Sequence, residues 1–587
     1  MLQENLIRMY EESFRTHREL PALTDYFKGE TFSYYEMAKE IAKLHLFFKK
    51  AEIRRGDKIA LVGRNNPRWC ITYLATITYG AVIVPILQDF APADIVHIVN
   101  HSESRLLFVG DNYWDIIEED EIARIDAVLS LTDFHVIYER RGKSLGVYMR
   151  DMVKNYRAKY KRGFSADDIK YPDIPNDQMV LLNYTSGTTG YSKGVMLTVN
   201  NLTGNVLVAK NARNTQTGTH YFVRGGRTLS FLPLAHAYGC AFDFLSPLAV
   251  GGHVTLLGKI PSPKILIEAM QMVKPTVICC VPLILEKIYR KQVLPLLEKG
   301  PMSIAMKIPL LNSAIYSAIR KKLIDSFGGE VVIFIVGGAP MNQETEAFLL
   351  KIKFPITVGY GMTECAPLIS FTTDDLFKAG SCGMYIKEYL DLRIDSPDPE
   401  HTAGEIIVKG EHVMLGYYKN EKDTHAVLDP DGWLQDDDPH GKRSEHLSRG
   451  DRGQAQQHVP RAGIARAGAQ RQTPRTGRAR LRAGRARRGR QERPSADHGE
   501  QPQRVEYGRG RLRTCRSDHD LPHRIREDAQ TQHQTLPLQR DAAGQITEKG
   551  RTAVKSAAGR PRRLIIHPPL VLSGFIRHIA CRIFRRV

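Results

Sequence analysis

The chain has 587 residues, 42% of them hydrophobic, with 8 cysteines and a formal net charge of +19. That length holds two or more domains, and that hydrophobic share supplies large cores. Residues 440–587 contain 34 Lys and Arg against 12 Asp and Glu, leaving 49 against 52 for the remainder, so the body is nearly neutral and the excess that would suggest nucleic acid or a membrane surface belongs to the tail.

In chain order, Met1 to Asn5 is polar, reads as no signal peptide, and leads into an amphipathic stretch. Apolar strands are predicted at 58–62, 81–86, 106–109, 228–232, 254–257, 276–281, 331–336 and 356–358. Helical patterns fall between many of them, at 34–50, 68–79, 263–273, 283–297 and 342–351. Strands that are apolar throughout and alternate with helices predict an α/β fold of mostly parallel sheets covered on both faces. Ligands of such sheets sit beyond the carboxyl ends of the strands.

Between two further apolar runs, at 179–182 and 195–197, lies Tyr184-Thr185-Ser186-Gly187-Thr188-Thr189-Gly190-Tyr191-Ser192-Lys193-Gly194. Its glycines let backbone N–H groups approach a ligand, while the hydroxyls and the Lys193 ammonium add donors and positive charge, a composition suited to polyphosphate. It is not a Walker A loop, because Tyr191 and Ser192 separate Gly190 from Lys193. A mobile polar turn has the same composition, but the apolar flanks favour a ligand loop.

The longest apolar region, 229–257, is broken by Pro233, His236, Asp243 and Pro247 and makes a poor membrane span. Cysteines such as Cys279 and Cys280 sit in apolar runs, read as reduced thiols of a cytoplasmic protein, and show no metal-ligand spacing. Four later segments stand at predicted strand ends or turns: Leu232-Pro233-Leu234-Ala235-His236, Gly337-Gly338-Ala339-Pro340, Gly359-Tyr360-Gly361-Met362-Thr363-Glu364, and residues 404–410 followed by Gly416-Tyr417. Singly each has an ordinary reading: a packing histidine, a turn, a solvated carboxylate.

Together and in this order, with Gly56-Asp57-Lys58-Ile59-Ala60-Leu61 and Lys274-Pro275-Thr276, they resemble the adenylate-forming (AMP-binding) superfamily over about residues 24–433. Within it the chain looks most like a long-chain fatty acid–CoA ligase of bacterial type. The resemblance implies a large N-terminal domain, 1–435, with a small β subdomain. It implies that Thr185, Ser186, Gly187, Thr188, Thr189, Gly190 and Lys193 hold the β- and γ-phosphates of ATP. Gly338, Ala339 and Pro340 would line the adenine pocket. Tyr360, between Gly359 and Gly361, would stack on the base, and Thr363 would touch the α-phosphate. Glu364 would bind Mg²⁺, and His236 would lie by the acyl carboxylate. Thr185, Lys193, His236 and Glu364 form the implied catalytic set. ATP, Mg²⁺, coenzyme A and a fatty acid are the implied partners, with no nucleic acid, in the cytoplasm or peripheral to the inner membrane. The sequence has no coenzyme A signature, so that step rests on the resemblance. Two alternatives stay open: an adenylating enzyme that passes the acyl group to a carrier protein or other acceptor, and a basic-tailed binding protein without catalysis.

The resemblance stops after Asp431-Gly432-Trp433-Leu434-Gln435. Asp438 falls where the family's ribose-binding aspartate is expected, among unfamiliar neighbours. The family's hinge and small C-terminal domain with its catalytic lysine are not recognisable in 436–587. The segment from 440 onward has 31 Arg to 3 Lys, and Tyr507 is its one tyrosine. Such composition predicts a largely disordered basic arm. Back-translating 445–461 with free codon choice, a one-base shift can restore the family's glycine-rich strand, which points to a reading-frame change in the gene.

Overall fold

The computed structural model describes residues 1–435, except 123, 186–191, 259, 260, 299–308, 400, 401 and 403, together with 458–460. All of these fall in one compact unit, Met1–Pro474.

The apolar runs become strands of two large sheets. One has seven strands in the order Ile356–Val358, Ile333–Val336, Val277–Cys280, Arg227–Ser230, His253–Leu256, Pro21–Asp25, Thr31–Ser33, parallel except for the last pair. The other has eight: Gly416–Tyr417, Lys193–Thr198, Met179–Thr185, Val82–Ile86, Lys58–Val62, Leu106–Val109, Ala127–Ser130, Val136–Glu139. Its central run from Met179–Thr185 to Ala127–Ser130 is parallel, and its outer pairs are antiparallel. Val82–Ile86, Leu106–Val109 and Ile333–Val336 are buried at every position, as strands covered on both faces must be.

The covering helices carry their boundaries in the sequence. Ser33 and Glu36 form a capping box at the start of Tyr34–Lys50. Asn66 caps Pro67–Tyr79, whose first residue is Pro and whose end is the left-handed Gly80. Trp69 and Tyr73 stack with ring centroids 5.6 Å apart, and both meet Phe244 edge-on in the largest core.

The α/β architecture is as the sequence predicts, the broken 229–257 run included, and two local expectations change. Residues 283–297 do not make one helix. They divide into Pro282–Ile288, a widened π turn at Tyr289–Val293, and Leu294–Leu297, because Pro295 has no N–H to give the preceding turn. The 229–257 run folds back on itself: a strand, a short helix at Ala237–Gly239, a π segment at Cys240–Leu245, Ser246–Ala249, then a second strand. No helix among the described residues is long and apolar enough to cross a membrane. Finally, Glu405–Gly410 and Gly416–Tyr417 part company. The first pairs with Leu390–Asp395 and Leu434–Gln435 in a small sheet, and the second adds an edge to the eight-stranded sheet. The tail lies outside the described residues except for His458–Pro460, which pairs antiparallel with Ser381–Tyr385.

Candidate active site

Three strand ends of the seven-stranded sheet converge as the strand-end rule requires. The turn after Ile333–Val336 brings Gly337 and Gly338, the segment after Ile356–Val358 brings Gly359 to Thr363, and the run leaving Arg227–Ser230 brings His236. They surround a cavity of about 180 Å³ lined by His236, Gly338, Gly359, Tyr360, Gly361 and Thr363. Its other walls are largely apolar, among them Val208, Phe222, Phe242 and Phe371. Ala339 and Pro340 continue the Gly338 turn without lining the cavity.

The segment 359–363 is tightly held. A Cβ on Gly361 would stand 2.0 Å from the Pro367 carbonyl oxygen, so only glycine allows this approach. Asn205, buried in the helix Val199–Asn211, donates to Cys365 O at 3.2 Å and accepts from Leu368 N at 2.9 Å. It fixes both sides of the turn Thr363–Cys365 that carries Glu364.

His236 caps the helix Ala237–Gly239, its Nδ1 accepting from Tyr238 N at 3.3 Å. That bond leaves the ring proton on Nε2. The ring opens on the cavity, yet the protein packed around it lowers its pKa and keeps it neutral. Two residues hold this turn. Tyr238 donates its hydroxyl to Ile335 O at 2.8 Å. Asn65, at an end of the other sheet, donates to Leu232 O at 2.7 Å and accepts from Leu234 N at 3.1 Å.

The phosphate-type loop rises from a hairpin. Thr185 and Lys193 face each other as its last ladder pair. Ser186, Gly187, Thr188, Thr189 and Gly190 lie outside the described residues, as does Asp438. Lys193 Nζ is 3.3 Å from Asp423 Oδ2 and 4.9 Å from the ring centroid of Tyr417. The Tyr417 hydroxyl in turn donates to Glu364 Oε1 at 2.9 Å. Lys193 and Glu364, far apart in the chain, are thus joined through one side chain, and Glu364 follows the cavity-lining Thr363 directly.

Among the described residues no group of three His, Cys, Asp or Glu could hold a metal ion. Mg²⁺ does not need one, since one or two carboxylates plus substrate phosphates and water are its usual ligands. Glu364, half-buried with a carboxylate oxygen oriented by Tyr417, suits that donor set.

Asp423, Asn65 and Asn205 carry no signal of function in the sequence, and Tyr417 enters it only within a segment of the family resemblance, with no role attached. The Gly416-Tyr417 pair reads there only as a turn, and the partners of the asparagines lie up to 169 residues away.

Residues 10–418 match the family described as AMP-binding enzyme. A long-chain-fatty-acid–CoA ligase 6 of Mus musculus is 29% identical over 432 residues, covering 69% of this chain and 60% of the relative. The peroxisomal long chain acyl-CoA synthetase 7 of Arabidopsis thaliana is 28% identical, covering 66% and 56%. The chain therefore spans less than two thirds of the length of these relatives. The fold is similar to an anthranilate CoA ligase, AuaEII, solved with anthranoyl-AMP (TM-score 0.56, 15% identity, 74% of each chain). It is also similar to the N-terminal domain of FACL13 from Mycobacterium tuberculosis (TM-score 0.54, 19% identity, 74% of this chain and 96% of that one).

Proposed function

The chain belongs to the AMP-binding enzyme family, and on that premise we propose that it activates a fatty acid with ATP, forming an acyl-adenylate and then an acyl-CoA. The observation that carries this is the linkage of the Thr185–Lys193 hairpin to the Glu364 turn, beside a cavity with apolar walls. The apolar walls suit an alkyl chain, and the relatives are named for long-chain acids.

In the first step a carboxylate oxygen attacks the α-phosphorus of ATP and pyrophosphate leaves. Both reactants are anionic, so positioning and charge neutralisation dominate the barrier. Lys193 and the hydroxyl-rich loop would hold the leaving phosphates. Thr363 would meet the α-phosphate, Tyr360 and the Gly338 turn the adenine, and the neutral His236 would offer Nε2–H to the acyl carboxylate. Mg²⁺, held by Glu364 and the polyphosphate, would supply further charge neutralisation there. A donor that acts only in the transition state contributes about 2.7–4 kcal/mol. Coenzyme A thiolate would then attack the acyl carbon and release AMP. The six described cysteines are buried thiols, which fits a reducing cytoplasm.

ATP–pyrophosphate exchange and hydroxamate trapping across fatty acids of increasing length test this. Exchange that requires a fatty acid supports it. Exchange absent with every acid, or unchanged in both Lys193→Ala and Glu364→Ala, refutes it.

A further inference from the structure

We propose that Tyr417 is a positioning residue that fixes Lys193 and Glu364 relative to each other before the nucleotide arrives. Its role rests on the ATP chemistry proposed above and concerns a residue to which that chemistry gives no part. Tyr417 is 3% exposed, and its side chain makes contacts of two different kinds among the described residues. Its hydroxyl donates to Glu364 Oε1 at 2.9 Å, which sets the rotation of the carboxylate. Its ring face lies 4.9 Å from Lys193 Nζ, a cation–π distance.

The backbone that carries this ring has little freedom. Gly416 and Tyr417 pair with Met196 and Val195, three and two residues beyond Lys193. Tyr418 N donates to Gly194 O at 2.7 Å, Leu415 N to Met196 O at 3.0 Å, and Met414 N to Glu364 O at 2.8 Å. Tyr417 N donates to Thr424 Oγ1 at 2.9 Å. Gly416 adopts φ +134°, and a Cβ there would stand 2.7 Å from Thr424 Cγ2. Moving the ring therefore means unzipping an edge strand and the helix packed on it.

A lysine side chain carries about 2 kcal/mol of rotamer entropy, which a ligand must overcome unless the protein has already restricted it. The Tyr417 ring on one side and Asp423 at 3.3 Å on the other supply that restriction for Lys193. The hydroxyl does the same for Glu364, as an outer partner of a metal-binding carboxylate does. The two contacts are separable, because phenylalanine keeps the ring and loses the hydroxyl.

The test is calorimetric titration of ATP into the full chain, with Mg²⁺ and with EDTA, for wild type, Tyr417→Phe and Tyr417→Leu, with a thermal melt of each unliganded protein. Tyr417→Phe is expected to weaken Mg²⁺–ATP about tenfold, the lower end of the cost of removing an outer partner of a metal ligand, and to leave Mg²⁺-free ATP unchanged. Tyr417→Leu is expected also to weaken Mg²⁺-free ATP about 2- to 30-fold, the range of a cation–π contact. Both Kd values unchanged in Tyr417→Phe, or both weakened equally with a lower Tm, would overturn the role and leave the ATP chemistry standing. A wild type that binds no ATP under either condition overturns both.

Discussion

Lys193 is gripped by a ring and a carboxylate, and the two grips differ in weight. Its pair with Asp423 is partly exposed, and such pairs contribute about 0–1 kcal/mol, so Asp423→Asn should shift the urea midpoint little. Lys193→Ala and Glu364→Gln should instead each slow fatty-acid-dependent pyrophosphate exchange about 10²–10³-fold, the loss seen when a transition-state donor goes, with Tm nearly unchanged. Exchange rates and melts on the same preparations separate the two outcomes. The sequence singles out both as candidates, because a lysine and a glutamate stand in glycine-rich frames at strand ends. Asn65 is not singled out, and Tyr417 stands there only in a segment of the resemblance, with no role attached. An aromatic after a glycine and an asparagine after a strand are common, and only folding brings Tyr417 to a partner 53 residues away and Asn65 to one 167 away.

The segment 359–368 and the strap 411–418 act as one device. Gly361→Ala would drive a methyl into the Pro367 carbonyl, and overpacking of this kind costs about 1–3 kcal/mol, so its thermal midpoint should fall and its nucleotide affinity with it. The strap is anchored by His412, fully buried, with Nδ1 donating to Leu368 O at 2.7 Å. Burial pushes its pKa down to about 4, and His45, with its Nε2 at Ala75 O, is lowered to about 4 as well. An unfolded histidine titrates near 6.5, so between about pH 6.5 and 4 the unfolded chain holds protons the folded chain lacks. Stability should therefore fall as the pH drops through that window and level off for these groups below it. His412→Gln should reduce proton uptake on unfolding by about one, read from urea melts at a series of pH values. The elements themselves divide by how local their cause is. Fully apolar strands and capped helices announce themselves. Pro21–Asp25 and Gly416–Tyr417 are short, and they are strands only because a distant edge accepts them, while Thr31–Ser33 is a strand because it folds back on Pro21–Asp25.

Taken whole, the molecule is a family fold whose recognisable sequence ends near Gln435. Residues 436–587 carry no sequence recognisable as the family's closing domain, so this chain should sustain slow adenylation while thioester formation lags further behind. Measuring pyrophosphate exchange and acyl-CoA production on one preparation checks this, and full ligase turnover would contradict it. Resequencing the gene tests the frame change: a continuous frame encoding the present tail removes it. Salt-sensitive DNA binding would instead favour the basic-tailed binding protein. The seven-stranded sheet also has a consequence for how the chain is born. Leu23 pairs with Val254, so a segment emerging first from the ribosome waits for a neighbour made 231 residues later, roughly 12 to 46 s at ordinary elongation rates. Until then Ala22 and Leu23, fully buried in the finished fold, lack that cover, and chaperone capture during synthesis should centre on this amino-terminal stretch.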